Sequence, residues 1–182
     1  TADFFLDGLR DDAQYYRSLY NIDRVEVLKG ANALIFGRGG GGGVINRVSK
    51  APEFSKARTD LAGSVDSFGS WSLAADLDQP LSDNFAARLN ATYEDFANHR
   101  DFYHGHFTGI APTLGWQLGE ATRLVMGYEY ADDQRVTDRG VPSFNGTPLT
   151  GHDDTFFGSP AANHSAVTAH IARARLDHNF SD

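Results

Sequence analysis

The chain has 182 residues, of which 41% are hydrophobic and 22% charged, with a net charge of −8 and no cysteine. The acidic balance and the scatter of its arginines give no electrostatic footprint for nucleic acid, and the lack of cysteine removes disulfide frameworks and thiolate metal sites. No apolar run is long enough for a transmembrane helix, which leaves open a membrane β-barrel, whose apolar surface hides in alternate positions.

The chain opens at Thr1 without a Met and without a charged, then apolar, leader. Either processing has removed a signal peptide or the chain is a piece of something longer. Phe4-Phe5-Leu6 is a short apolar run stopped by the turn signal Asp7-Gly8. Residues 11–20 read as a loop or one helical turn carrying Tyr15, Tyr16 and Tyr20. These tyrosines have two readings. One is packing; the other is an aromatic rim for a planar ligand that needs one apolar and one wet side, with Arg10 and Arg17 as cations against a ligand of negative charge.

Residues 22–50 organise the rest. Ile22, Val25 and Val27 alternate with polar residues, which predicts a strand. From Gly37 to Gly43 there is one Arg among six glycines, and then Val44, Ile45 and Val48 resume a β-like pattern that closes at Pro52. Such a glycine run costs backbone entropy, so it marks positive φ or close passage of other backbone. It satisfies G-x-G-x-x-G, as any glycine run does. The β-branched residues that follow leave no room for the helix a dinucleotide site requires, and Gly43 stands where a Walker A loop needs Lys.

Asp23 to Gly30 (Asp-Arg-Val-Glu-Val-Leu-Lys-Gly), Phe36 to Gly39 (Phe-Gly-Arg-Gly) and Gly42 to Lys50 (Gly-Gly-Val-Ile-Asn-Arg-Val-Ser-Lys) together resemble the C-terminal half of the plug domain of TonB-dependent outer-membrane receptors, in their siderophore-receptor branch. Two departures, Ala31 and Gly41 where the family commonly has Pro, loosen a turn and remove no chemical group. Upstream, residues 4–12 with Gln14, Tyr15, Tyr16 and Arg17 look like the catecholate-type receptors in a shorter match. The resemblance implies structural motif positions at Glu26, Gly30, Gly37, Arg38, Gly39, Gly42, Gly43 and Asn46, with the glycines serving tight packing within the plug.

Residues 51–56, with Pro52, read as a linker. From residue 57 the pattern becomes strict alternation. Thr59, Leu61, Gly63 and Val65 share one face; then Trp71, Leu73, Ala75 and Leu77; then Phe85, Ala87, Leu89, Ala91 and Tyr93; then Ile110, Pro112, Leu114, Trp116 and Leu118; then Leu124, Met126, Tyr128 and Tyr130; and finally Ala172, Ala174 and Leu176 in a strand over about 165–180. Tight turns at 82–84 and 119–121 alternate with longer loops at 98–105 and 132–164, the pattern of short periplasmic turns and long extracellular loops in an outer-membrane barrel. The short loop at 67–69 fits this poorly. Trp71, Tyr93, Trp116, Tyr128 and Tyr130 are expected in interfacial girdles, and Arg88, Glu94, Arg123, Glu129, Arg173 and Arg175 on a polar lumen face, with Arg24, Glu26, Arg38 and Arg47 of the plug as ion-pair partners. A soluble β-sandwich is the alternative, but its strands usually have ~5 to 6 residues, shorter than these.

The fold expected is therefore mainly β: the end of a plug over residues 1–50, a linker over 51–56, and over 57–182 about six antiparallel strands of a large transmembrane barrel of the ~22-strand type. Six strands left open would expose two edges to lipid, so the chain reads as part of a longer protein, without the TonB-contacting box that the family places before the plug. By resemblance the function is outer-membrane uptake of ferric siderophores energised through the TonB complex, with Arg10, Gln14, Tyr15, Tyr16, Arg17, Tyr103 and Phe144 against the ligand. The same machine with a vitamin, sugar or metal-complex cargo, and a soluble β-rich binding module, remain open. His99, His104, His106 and Asp101 could gather a divalent ion, but their spacing is not diagnostic. No metal site or cofactor is assigned, because the iron travels inside its chelate. No nucleophile motif or paired carboxylates point to an enzyme, and nucleic acid is not an expected partner.

Overall fold

A computed structural model describes residues 3–11, 13, 15–36 and 43–180. The chain divides into two compact units, residues 1–51 and 52–182.

In the first unit, strands β1 (Asp3–Leu6), β2 (Leu9–Arg10), β3 (Ile22–Leu28) and β4 (Val44–Ser49) form one sheet in the order β2-β1-β4-β3. β1 and β2 make a hairpin around Asp7 and Gly8, both at positive φ, so the Asp-Gly signal does what its chemistry predicts. β1 runs parallel to β4, and β4 antiparallel to β3. Between β3 and β4 lies a 3-10 helix, Gly30–Phe36, that the sequence pattern did not announce. It covers one face of the sheet: Phe5, Ala33 and Val44 are buried there, with Leu28 and Phe36 packed against them and the Phe5 and Phe36 rings edge-to-face at 4.8 Å. The described residues among 11–20 form no helix.

The second unit is a six-stranded antiparallel sheet in sequence order: β5 (Arg58–Val65), β6 (Trp71–Ser82), β7 (Phe85–Ala97), β8 (His104–Gly119), β9 (Thr122–Val136) and β12 (His164–His178). A small hairpin, β10 (Ser143–Phe144) and β11 (Thr147–Pro148), stands within the last long connection, turning through Asn145 and Gly146 at positive φ. The two-residue turns 83–84 and 120–121 lie at one end of the sheet, and the connections 66–70, 98–103 and 137–163 at the other.

Register aligns the apolar faces read from the sequence. Leu73 pairs with Tyr93, Leu77 with Leu89, Leu89 with Pro112, Leu114 with Met126 and Leu124 with Leu176. This face is the exposed one, with Leu61 at 75%, Leu73 at 59% and Leu176 at 62%. The opposite face holds the buried polar groups Asp76, Asp78, Arg88, Asn90, Thr92, Thr113 and Asp133, with Ala86, Phe107, Ala111 and Ala131 among them. A water-soluble sheet would bury its apolar face; the inversion is that of a membrane wall, with lipid outside and a polar interior.

Strands β7, β8 and β9 extend further than alternation of apolar residues suggested. Above Tyr93 and Ile110 the outward positions become Asp95, His106, Asp132 and Gln134 while the ladder continues, pairing Asp95 with His106 and His106 with Gln134. The strands go on past the apolar band, so the hydrophobic signal stops before the structure does. The loop read as 132–164 is therefore 137–163. Two prolines sit where the ladder can spare them. Pro80 lies beyond the last β5–β6 pair, Arg58–Asp78, next to a register shift. Pro112 coincides with a lapse in β8–β9 pairing, which stops at Ile110–Tyr130 and resumes in the same register at Thr113–Gly127.

Candidate functional site

In the first unit, β1, β3, β4 and the segment after β2 line a concavity of about 660 Å³, with Phe4, Val25 and Ile45 as its apolar floor and Asp11, Tyr15, Arg17 and Arg47 as its polar groups. Asp11 accepts hydrogen bonds from both Arg17 and Arg47. The Arg17 guanidinium also lies over the Tyr15 ring, 4.2 Å from its centroid. Two guanidinium groups on one carboxylate beside an aromatic face make a combination suited to a planar anionic ligand. Of the residues expected against ligand, Tyr15 and Arg17 are thus brought together. Tyr16 is 52% exposed outside that lining, and Arg10 is paired with Asp3 at 3.7 Å. Gln14 lies outside the described residues. The sequence reading missed Asp11 and Arg47, though alternation along 44–49 puts Arg47 on the face of Ile45.

The motif residues knit the sheet. Asn46, 4% exposed, accepts from the Gly8 N–H through Oδ1 at 3.1 Å and donates from Nδ2 to Glu26 at 2.9 Å. Arg24 donates to the other Glu26 oxygen at 2.9 Å. Asn46 first, and Arg24 after it, hold the Glu26 carboxyl below its ordinary value, and Asp23 and Glu26 raise that of Arg24. Asp7 closes the same turn by accepting from the Ser49 N–H at 2.7 Å. Gly43 has φ +113, and a Cβ there would meet the Leu28 carbonyl oxygen at 2.8 Å, so only glycine fits. Gly30 enters the 3-10 helix at φ +61. Gly37, Arg38, Gly39 and Gly42 lie outside the described residues.

In the second unit, the polar interior face carries its own ion pairs. Arg88 donates to both Asp76 oxygens at 2.8 Å and stands 3.5 Å from Asp78. Asp78, 1% exposed, accepts from the Glu53 N–H at 3.2 Å. Arg123 donates to the Pro52 carbonyl at 2.9 Å and lies 4.9 Å from the Phe54 ring. Residues 52–54 are thereby pinned to the sheet. Arg24, Glu26 and Arg47, expected as partners of the wall, are paired within the first unit.

At the long-loop end, Tyr103 is half-buried beside Phe96, with ring centroids 6.1 Å apart, whereas Phe144 is 68% exposed on the β10–β11 hairpin. Two aromatic pairs mark the outward face, Trp71 with Tyr93 at 5.1 Å and Phe85 with Trp116 at 6.1 Å. Tyr128 and Tyr130 flank His170, whose Nδ1 lies 2.6 Å from the Tyr128 hydroxyl. From Phe85 to Tyr93 is about 26 Å along the strand, or roughly 20 Å of membrane depth at the tilt of such barrels, comparable with their ~25 Å apolar band. His104 is 3.0 Å from the Phe102 carbonyl and His106 stacks on Tyr93, and among the described residues no group of three metal-ligating side chains converges.

A plug-type sheet followed by an antiparallel wall with polar interior and apolar exterior defines the class. Residues 1–44 match the TonB-dependent Receptor Plug Domain family. It is 32% identical over 195 aligned residues to the catecholate siderophore receptor Fiu of Escherichia coli K12, an alignment covering 98% of this chain and 25% of that protein. It is 31% identical to the metal-pseudopaline receptor CntO of Pseudomonas aeruginosa, over 88% of this chain and 23% of the relative. The chain thus spans about a quarter of the length of the curated relatives it matches. Among solved structures, the open form of the ferric-catecholate import receptor Fiu superposes with a TM-score of 0.88 at 26% identity, covering 99% of this chain and 29% of that one. The siderophore receptor PiuA of Acinetobacter baumannii gives 0.88 at 25% identity, covering 99% and 27%.

Proposed function

We propose that this chain is the plug-to-barrel portion of an outer-membrane receptor that binds a ferric siderophore and passes it inward with energy supplied through TonB. The observation that carries the reading is the near-complete likeness of both units together to ferric-catecholate receptors. The inverted polarity of the six-stranded sheet supports outer-membrane residence. Lipid is then the partner of the face bearing Leu61, Leu73, Leu89, Ile110 and Leu114.

For the ligand, the Tyr15, Arg17 and Arg47 concavity is the favoured plug contact, and Arg10, Gln14 and Tyr16, near Tyr15 in sequence, and Tyr103 and Phe144 of the long loops are the further candidates. The iron stays within its chelate, and the protein supplies aromatic faces and guanidinium donors instead of iron ligands. The full receptor, purified in detergent and titrated with a ferric catecholate, tests this. Tyr15→Ala and Tyr16→Ala together are expected to weaken binding about tenfold, and unchanged affinity removes both from the ligand surface.

A second reading keeps the machine and changes the cargo. The likeness to a metal-pseudopaline receptor favours it. Expression that rises under iron starvation supports the ferric reading; expression that answers only to another metal supports the second.

A further inference from the structure

Two of the long connections at one end of the wall are not independent. Arg100 lies in 98–103, between β7 and β8, and its side chain is 10% exposed. It reaches across to 137–163, between β9 and β12. Its guanidinium donates to the Asp138 carboxylate, to the Asp153 carbonyl at 3.1 Å and to the Thr155 carbonyl at 2.7 Å. The Asp101 N–H donates to the Asp154 carbonyl at 2.8 Å. The Phe102 and Phe156 rings meet edge-to-face at 6.1 Å. Asp138 is itself fixed, accepting from the Gly140 N–H at 2.8 Å. Burial pushes its carboxyl up, and the Gly140 N–H and Arg100 outweigh that and hold it below its ordinary value.

The backbone records the constraint. Phe102 has φ +61, a left-handed conformation that bulky residues rarely take. Such a residue persists only where its surroundings over-determine it. Here the determinants are the bonds of Arg100 and Asp101 just before it. An arginine suits this task because one rigid fork can satisfy a carboxylate and two carbonyls at once, which a lysine ammonium does with less geometric definition.

We propose that Arg100 is a positioning residue that clamps segments 98–103 and 137–163 into one preorganised body, so that Tyr103 and Phe144 are presented to ligand on a shared rigid frame. The clamp follows from the contacts alone; its role toward ligand rests on the receptor reading above. Preorganisation lowers the ordering cost of binding, and its loss appears mainly as faster dissociation.

The test uses the full-length receptor in detergent, as wild type, Arg100→Ala, Arg100→Lys and Asp138→Asn. Hydrogen exchange is followed in both segments without ligand. Arg100→Ala is expected to speed exchange at least severalfold in both segments together while the β7–β9 strands keep their protection. Arg100→Lys should fall between, and Asp138→Asn should loosen both less, because the two carbonyl bonds remain. Faster exchange confined to 98–103, or none, overturns the clamp. Iron(III) tris-catecholate is then the probe for ligand dissociation, expected to be about tenfold faster in Arg100→Ala with association little changed. Coupled loosening with unchanged dissociation overturns the positioning role and leaves the clamp. If wild type does not take up the probe, the cargo reading fails, and the exchange result still decides the clamp.

Discussion

Asn46 shows how one side chain can join three strands. Its amide spends one end on the Gly8 N–H and the other on Glu26, so β4 holds the β1–β2 turn and β3 together. Replacing it by Ala removes both hydrogen bonds and leaves the Gly8 N–H to water. The expected outcome is faster hydrogen exchange at Gly8 in the full receptor; an unchanged Gly8 amide would contradict the role. The same substitution has a pH signature. Because Glu26 is held below its ordinary value in the fold, its contribution is present above the unfolded value and lost as pH falls through the folded one. Without Asn46 that loss should begin at higher pH, which titration of Glu26 by carboxyl NMR measures. Asn46 and Glu26 were legible as motif positions by resemblance. The Asn46 bond to Gly8 was not, because it depends on a parallel β1–β4 pairing between segments nearly 40 residues apart.

Among the elements, the segment 52–54 behaves less like a free linker than its Pro and polar residues suggested. Pro52 is fully buried, the Glu53 N–H is held by Asp78, and the Phe54 ring lies against Arg123. A Cβ at Gly115 would come within 3.1 Å of that ring, so Gly115→Val must displace Phe54. Asp78→Ala leaves the Glu53 N–H without its acceptor, a loss of about 1–3 kcal/mol. Both variants are expected to speed protease cleavage within 52–56, and cleavage at the wild-type rate would show that the contacts do not restrain the segment. The strands themselves were readable because each alternates apolar and polar residues over the membrane band. Their upper ends were not, since outward Asp95, His106, Asp132 and Gln134 carry no hydrophobic signal there. The 3-10 helix Gly30–Phe36 was hidden for another reason: its seven residues are too few to set up a helical period.

For the whole molecule, the claim that the apolar face meets lipid has a direct consequence. Leu89 lies midway between the Phe85–Trp116 and Trp71–Tyr93 pairs on the outward face. Leu89→Arg should therefore cost about 2–4 kcal/mol of barrel stability, the depth-dependent penalty of a cation near the bilayer midplane. Inward-facing Ala62→Arg should cost much less, because that side is polar. Unfolding of the full receptor from lipid vesicles compares the two, and equal costs would contradict the orientation. The sequence alone carried this inference unusually far, since a two-residue period assigns faces without any knowledge of neighbours. What it lacked was the pairing between loops, which no local pattern encodes and which Arg100 establishes through groups more than 50 residues away.

The most direct test of the central claim is uptake of radiolabelled iron by iron-starved cells of the source organism, with and without the full-length gene, presented as catecholate, hydroxamate and citrate chelates. The account predicts loss of uptake confined to the catecholates. Undiminished uptake of every chelate in the deletion strain, with no compensating receptor induced, would contradict a ferric siderophore receptor.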